Sequence, residues 1–232
     1  MALKDDLANE VTAVFRSAWS QRDGNVVPAD ESLKLSNDAI KLTATVLYAD
    51  LADSTHIVDS NLPTFAAEVY KTFLHCAAKI IRSEKGTITA YDGDRIMAVF
   101  LGDFKNTSAA RTALKINYAV KNIVSPAMWT VYSHRNGETI KHVVGIDTSE
   151  LYVARTGVRG ANDLVWVGRA ANYAAKLATL PEIYPTYITQ EVYDVLHEST
   201  KTPNGLKMWE AARWNTFDNR LVYRSNWWWP ID

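Results

Sequence analysis

The stretch "TAYDGDRIMAVF", Thr89 to Phe100, decides the fold of this chain. Asp92 and Gly93 form a strong tight-turn signal, and runs suited to strands lie on both sides of them. We therefore predict a β-hairpin in which Asp92 is an ordinary turn residue. Asp94 follows the turn and precedes Arg95 and five consecutive apolar residues. An acidic side chain at the start of a buried strand suggests that a ligand binds at this edge of the predicted sheet.

The patterns on either side of the hairpin predict the rest of the core. The expected strands are 42–51, 141–156 and 163–168, the expected helices are 62–86, 106–124 and 169–180, and 183–199 is expected to hold one more strand and helix. The order is strand, helix, hairpin, helix, strand, strand, helix, strand. This order is typical of an α+β fold with a ferredoxin-like βαββαβ core, in which helices pack on one face of an antiparallel or mixed sheet.

An amphipathic helix is predicted ahead of this core. Apolar residues recur at helical spacing in the segment 3–21, at Leu7, Val11, Val14, Phe15 and Ala18. A segment with Gly24 and Pro28 then interrupts the pattern. We therefore divide the chain into an N-terminal helix and linker, residues 1–40, and a core domain, residues 41–232.

The composition excludes several classes of protein. The 232 residues are enough for one substantial domain, and the net charge of −1 argues against a nucleic-acid binder, which needs a basic face. A single cysteine, Cys76, cannot form an internal disulfide. No apolar run approaches the roughly 20 residues that span a bilayer, and the N-terminus lacks a signal-peptide profile. We therefore expect a cytoplasmic protein with no membrane or nucleic-acid partner.

Two aspartates at strand ends predict a metal site. Asp50 ends the first core strand and Asp94 opens the second strand of the hairpin, so both carboxylates can reach one edge of the sheet. Mg²⁺ prefers oxygen ligands and commonly takes one or two carboxylates together with water and phosphate. Backbone N–H groups of the following turn are suited to phosphate oxygens, and the turn consists of Leu51, Ala52, Asp53, Ser54 and Thr55. Aspartates at turns can also simply cap them, so these residues alone leave both interpretations open.

A third segment, "VWVGRAANYAAKLATL", contributes an amide and an ammonium. Asn172 and Lys176 are four residues apart and project from one helical face. Such a pair can orient a ribose and neutralise developing phosphate charge, although an ordinary solvated helix face has the same pattern.

Together these segments resemble the catalytic domain of class III nucleotidyl cyclases. The quoted residues are "YADLADST", "YDGDRIMAVF" and "VGRAANYAAKL", which occur in the family order within 42–193. The resemblance implies that Asp50 and Asp94 bind two Mg²⁺ or Mn²⁺ ions. It also implies that Asn172 positions the ribose and that Lys176 replaces the usual transition-state arginine. Two active sites are expected across a head-to-tail homodimer, so a monomer should be inactive.

The base-binding positions depart from the purine cyclases of that family. Ala90 stands where they use a lysine and Val165 where they use Asp or Thr, and neither residue can pair with a base edge. Tyr48 and Arg95 are larger and more polar than expected, so they can shorten the pocket and offer donors.

This combination resembles the pyrimidine cyclases of bacterial Pycsar anti-phage systems. Those enzymes make cyclic UMP or cyclic CMP for a separate effector protein. Because arginine only donates, Arg95 suits the O4 of uracil better than the amino group of cytosine.

The expected function is therefore conversion of UTP to 3′,5′-cyclic UMP and pyrophosphate, as a second messenger in anti-phage defence. The alternatives are a cytidylate cyclase and a catalytically weak nucleotide-binding sensor module. A diguanylate cyclase is a weaker alternative, since "YDGDR" departs from its signature hairpin. We expect Arg169 to help hold phosphate, while Arg213 and Arg220 are only candidates for the triphosphate.

Overall fold

One mixed β-sheet with helices on both faces forms the centre of the computed structural model, which describes residues 2–231. Within those residues the strands are β1 Ser20–Asp23, β2 Asp38–Leu51, β3 Thr87–Asp92, β4 Arg95–Phe100, β5 His142–Val158, β6 Ala161–Val167, β7 Thr186–Thr189, β8 Glu210–Trp214 and β9 Arg220–Ser225. The α-helices are α1 Leu3–Arg16, α2 Ser54–Asp59, α3 Pro63–Ser83, α4 Lys105–Ala119, α5 Ser125–Val131, α6 Arg169–Leu177, α7 Gln190–Asp194 and α8 Glu198–Lys201.

The predicted βαββαβ core is confirmed. Neighbouring strands follow the order β3, β4, β2, β5, β7, β9, β8, with β1 beside the start of β2 and β6 beside the second half of β5. The predicted hairpin is β3 and β4, and Gly93 in its turn has φ +61°, a left-handed conformation that suits glycine. Strand β2 pairs antiparallel with β4 on one side and with β5 on the other, so it is an interior strand of the sheet.

The two faces of the sheet carry different helices. Successive residues of a strand point to opposite faces. Leu47 of β2 packs in one cluster with Phe73 of α3 and Leu114 of α4, whereas Val46 packs in another with Ala174 of α6. The expectation that the helices share one face is therefore wrong for α6. Strand β2 is buried on both faces, so its sequence is almost continuously apolar. Such a sequence does not show on which face of the sheet each helix packs.

Helix α6 lies very close to the sheet at Gly145 of β5. A Cβ at this position would be 2.1 Å from the carbonyl oxygen of Ala174 and 2.6 Å from the amide nitrogen of Ala178. Only glycine fits such an approach of backbone to backbone. The position of α6 over the central strands therefore depends on this glycine.

Several element bounds differ from the prediction. Strands β1, β8 and β9 were not predicted, β2 begins at Asp38 instead of Leu42, and α6 ends at Leu177. The helix predicted over 106–124 is α4 followed by a π-helical segment, Val120–Val124, which leads into α5. Strand β1 was missed because "SQRD" is polar and fully exposed, so it has no apolar pattern.

The predicted N-terminal helix is α1, and none of its residues is buried. Its C-terminal end is held by Asn37, whose side-chain amide donates to the carbonyl oxygens of Val14 (2.8 Å) and Ser17 (2.9 Å). The division of the chain at residue 40 stays a prediction. In the described part of the chain, every helix is too short or too polar to cross a bilayer.

Candidate active site

The two predicted metal ligands lie at the same edge of the sheet. Strands β2 and β4 are antiparallel, so the end of β2 meets the start of β4, and Asp50 lies directly opposite Arg95. The Asp50 side chain is only 13% exposed. Burial raises the pKa of its carboxyl, Arg95 lowers it, and the nearby charges of Asp94 and Asp92 raise it further. Three carboxylates therefore influence one another at this edge.

Arg95 and Tyr48 lie next to Asp50. Nε of Arg95 donates a hydrogen bond to Oδ2 of Asp50 at 3.2 Å, and Nη2 lies 3.1 Å from the same oxygen in an ion pair. The guanidinium lies 6.0 Å from the centroid of the Tyr48 ring, within the range of a cation–π contact. Burial raises the pKa of the Tyr48 hydroxyl. Tyr48 and Ala90 border the apolar cluster beneath α6. These two of the predicted base-pocket positions therefore lie on the face of the sheet that carries α6.

This acidic edge fits a hard divalent cation. It offers oxygen donors from Asp50 and Asp94 with Arg95 as the neighbouring positive charge. No cluster of three or more Asp, Glu, His or Cys side chains arranged to hold a metal occurs among residues 2–231. Mg²⁺ and Mn²⁺ do not need one, since water and substrate phosphate complete their octahedron.

The turn after Asp50 runs from Leu51 into helix α2. Asp53 precedes that helix in a left-handed conformation, φ 57°, and its side chain makes no capping hydrogen bond. The N–H of Ala52 donates to the carbonyl of Lys141, 3.0 Å away. The first N–H groups of a helix, here at Ser54 and Thr55, have no partner within the helix itself. The turn thus presents backbone donors at the same edge as the aspartates.

A basic side chain beside this turn escaped the sequence analysis. Nζ of Lys141 lies 3.6 Å from Oδ2 of Asp53 and 2.9 Å from Oε1 of Glu182. Lys141 comes just before β5, whose first residues pair with the end of β2. Only the pairing of β2 with β5 brings this lysine to the turn, and a local sequence pattern contains no such information.

Asn172 and Lys176 project from α6 as predicted. The helix buries Ala170, Ala171, Ala174 and Leu177 against the sheet and leaves both polar side chains exposed. Among the hydrogen bonds and ion pairs of the described residues, none joins Asn172 or Lys176 to Asp50 or Asp94. Within one chain, therefore, no hydrogen bond or ion pair links the two halves of the predicted site.

Arg169 has contacts that differ from those expected of a phosphate ligand. Its guanidinium binds both carboxylate oxygens of Asp147 at 3.1 Å and 3.2 Å, the carbonyl of Thr148 at 2.7 Å, and Glu191. Glu191 also forms an ion pair with Arg220, whose Nη2 lies 2.9 Å from Oε1 of Glu191. The donors of Arg169 fix the start of α6 on the sheet, and a contact of Arg169 with phosphate stays a prediction.

Val165 is the predicted site residue furthest from this arrangement. It lies in β6 opposite Ala154 and is 38% exposed. Its neighbour Trp166 packs against the cluster beneath α6, so Val165 points to the other side of the strand.

Comparison with known proteins assigns the chain to a family. It is 55% identical over 233 residues to the uridylate cyclase of Xanthomonas perforans and 50% identical over 233 residues to that of Burkholderia cepacia, and each match covers the whole of both chains. The chain belongs to the uridylate cyclase family. A uridylate cyclase of Rhodovulum sp. (strain MB263) is 36% identical, with 98% of each chain covered. No family model matches the sequence.

Solved structures share the fold of this family member at low sequence identity. The adenylyl cyclase CyaB of P. aeruginosa matches with a TM-score of 0.64 at 16% identity and covers 84% of this chain and 96% of its own. The guanylyl cyclase Cya2 matches with a TM-score of 0.66 at 17% identity and covers 80% and 91%. The predicted resemblance to class III cyclases is confirmed at the level of the fold.

Proposed function

We propose that this protein converts UTP to 3′,5′-cyclic UMP and pyrophosphate. The observation that carries the proposal is the meeting of Asp50 and Asp94 at one sheet edge with Tyr48 and Arg95 beside them. The names of the relatives, which match over the full length of the chain, support uridylate as the nucleotide.

In the proposed reaction the ribose 3′-oxygen forms a bond to the α-phosphorus. The bond from that phosphorus to the bridging oxygen of the β-phosphate breaks, and pyrophosphate and the hydroxyl proton are released. Divalent ions, Mg²⁺ or Mn²⁺ held by Asp50 and Asp94, would supply Lewis-acid stabilisation of the oxygens that gain charge. Asn172 orients the ribose, and the ammonium of Lys176 neutralises charge on the transferring phosphate. Backbone N–H groups of the turn from Leu51 to Thr55 bind the outer phosphates.

The arrangement around Arg95 supports uracil as the base. Arg95 uses Nε and Nη2 on Asp50, and its Nη1 forms no hydrogen bond within the described residues. That nitrogen can donate to a carbonyl such as uracil O4, and it cannot accept a hydrogen bond from the cytosine amino group. Tyr48 stands beside it and limits the depth of the pocket. Ala90 adds no polar partner that would favour a purine.

The decisive experiment incubates purified protein with each of the four ribonucleoside triphosphates and Mn²⁺ and identifies products by mass spectrometry. We expect cyclic UMP in large excess. Cyclic CMP as the main product would establish the cytidylate alternative, and cyclic AMP alone would refute the argument from the pocket. Tight UTP binding without turnover would establish a sensor module.

We further propose a head-to-tail homodimer with two shared sites, because no hydrogen bond or ion pair of the described residues joins Asn172 or Lys176 to the aspartates within one chain. Mixing two inactive proteins, Asp50→Asn and Lys176→Met, should test this. Random exchange of subunits makes half of the dimers mixed, each with one intact site, so about a quarter of the wild-type activity should return. Failure to recover activity, with exchange verified by mass spectrometry, would place each site in one chain.

The proposed biological role is synthesis of a second messenger in anti-phage defence, read by a separate effector protein. The support is the resemblance to the Pycsar cyclases. Cells that carry this gene with its effector should survive phage better than cells carrying the Asp50→Asn variant. Equal survival of both would contradict this role.

A further inference from the structure

The aromatic ring of Phe217, in the β8–β9 hairpin, packs against the exposed side chain of Lys176. The turn between those strands places Phe217 over α6, where Nζ of Lys176 lies 4.5 Å from the ring centroid. This distance is well within the roughly 6 Å limit for a cation–π contact. The arrangement joins two parts of the chain, residues 176 and 217, that no local pattern links.

The ring belongs to a packed aromatic group. Phe217 meets Tyr173 of α6 edge-on with 4.8 Å between centroids, and it lies 4.7 Å from Trp214 of β8. Its backbone N–H donates to the carbonyl of Trp214 at 3.0 Å, and its carbonyl accepts from Arg220 at 3.2 Å. Because the ring is fixed from several sides, its face is a stable surface for the ammonium.

Lys176 lacks the carboxylate partner that three other lysines have. Lys41, Lys115 and Lys141 each form an ion pair with a glutamate. No carboxylate among residues 2–231 forms an ion pair with Lys176. A carboxylate would neutralise the ammonium and occupy its N–H donors, whereas a ring face attracts the cation without accepting a full hydrogen bond. The charge of Lys176 therefore stays available for a phosphate.

Lysine needs such support more than arginine does. Its ammonium is a point charge on a flexible four-carbon stem, whereas the guanidinium of arginine is a preorganised planar fork. Stabilisation of a transition state requires charges that are already in place. A lysine at a position that neutralises phosphate must therefore be restrained by its surroundings.

We propose that Phe217 is a positioning residue that holds the ammonium of Lys176 in its working place by a cation–π contact. This proposal rests on the proposed cyclase function. It adds the β8–β9 hairpin to the active site and explains how a lysine can take the role of an arginine.

The test compares Phe217→Leu and Phe217→Met, which keep an apolar side chain without a ring face, with Phe217→Tyr, which keeps the face. For the first two variants we expect kcat to fall about fourfold, in line with the loss of a cation–π contact at an exposed lysine, while the KM for UTP changes little. Phe217→Tyr should stay within about twofold of wild type, since Tyr offers a comparable face. Thermal unfolding of each variant verifies that it is folded.

A second readout needs no turnover. In protein with ¹³C-labelled lysine, the ring current of Phe217 should shift the ε-methylene signal of Lys176 upfield, and Lys176→Met assigns that signal. The shift should disappear in Phe217→Leu and remain in Phe217→Tyr. The control variant is Tyr193→Leu, which removes a comparable face 5.1 Å from Nζ of Lys201, outside the site. It should leave kcat unchanged.

An unchanged or raised kcat in both Phe217→Leu and Phe217→Met would overturn the proposal, because the ring would then be neutral or would hold the lysine away from phosphate. Loss of activity in Phe217→Tyr as well would also overturn it. If wild-type protein makes no cyclic nucleotide, the proposed function fails and the positioning role fails with it. The NMR comparison would then still decide whether the contact between Phe217 and Lys176 exists.

Discussion

Two of the aspartates that pair with an arginine, Asp147 in a closed pair and Asp50 in an open one, differ in how many of their carboxylate oxygens accept hydrogen bonds. Asp147 has no exposed side-chain surface; Arg169 binds both of its oxygens, and Thr189 donates to Oδ1 at 2.5 Å. Asp50 binds Arg95 through one oxygen only and has further acidic neighbours. Burial raises the pKa of both carboxyls.

The difference teaches how to separate a structural pair from a functional one. Both oxygens of Asp147 accept hydrogen bonds, from Arg169 and Thr189, and the Arg169 pair holds the start of α6 on the sheet. The charge at Asp50 is only partly offset, and the other acidic side chains nearby make the excess larger. Such an excess of negative charge at an accessible sheet edge fits the binding of a cation. At Asp147, by contrast, both carboxylate oxygens already accept hydrogen bonds.

The largest effect should follow from removing the open carboxylate. Asp50→Asn keeps the shape of the side chain and removes its charge, and we expect cyclase activity to fall at least about 10³-fold because charge stabilisation at the reacting phosphate is lost. The free energy of unfolding should change little. Asp92→Asn, at the same sheet edge but taken as a turn residue, is the matched control and should lose less than about threefold. Comparable losses in both variants would show that this edge needs acidic charge in general and not Asp50 as a ligand.

The next largest effect concerns the closed pair and should appear in stability. Arg169→Met leaves Asp147 buried without its cation, which should lower the free energy of unfolding by about 3 kcal/mol. Urea denaturation measures this change. The control is Arg224→Met: Arg224 pairs with Glu210, which is 53% exposed, and its loss should cost less than about 1 kcal/mol. If the two variants unfold at the same urea concentration, the closed pair has no special role in stability.

Sequence patterns were sufficient for the parts of this comparison that are local. The tight turn at Gly93, the strand ending at Asp50 and the amphipathic spacing around Asn172 each occur within about ten residues. They predicted the hairpin, the fold and the sheet edge at which Asp50 and Asp94 lie. They could not predict that α6 lies on its own face of the sheet.

The parts that could not be predicted depend on contacts between distant segments. Asp147 lies in an apolar strand pattern, and its partners Arg169 and Thr189 are 22 and 42 residues away along the chain. The sequence alone did not show the partners of Arg169. Lys141 and Phe217 reach the site through strand pairing and a hairpin turn. Tertiary packing, and not local preference, decides these positions.

A third buried titratable group sharpens the comparison because it has no partner at all. His142 lies opposite Leu51, fully buried next to Phe73, and its Nε2 has no hydrogen bond in the described part of the chain. Burial lowers the pKa of its imidazole from 6.5 to about 3. Below pH 6.5 the unfolded chain therefore binds a proton that the folded chain excludes, so the folded state loses stability as the pH falls.

From pH 7 to pH 5 this single group should lower the free energy of unfolding by about 2 kcal/mol. His142→Leu should remove that part of the pH dependence, as measured by urea denaturation at both pH values. An equally steep loss of stability in His142→Leu would mean that other groups, such as the paired carboxylates, cause the acid sensitivity.

The smallest effect should come from the arginine of the open pair. Arg95 occupies lone pairs of Asp50 Oδ2 that a divalent ion would also use, and its positive charge repels such an ion. Arg95→Gln should therefore bind Mn²⁺ about fivefold more tightly, as measured by the loss of the free-ion signal in electron paramagnetic resonance. Because the guanidinium is partly exposed, stability should fall by less than about 1 kcal/mol. Arg169→Met should leave Mn²⁺ affinity unchanged, since its partner Asp147 belongs to the closed pair. Weaker Mn²⁺ binding in Arg95→Gln would mean that Arg95 holds Asp50 in the orientation for the ion, and the two pairs would then be alike in using an arginine to fix a carboxylate.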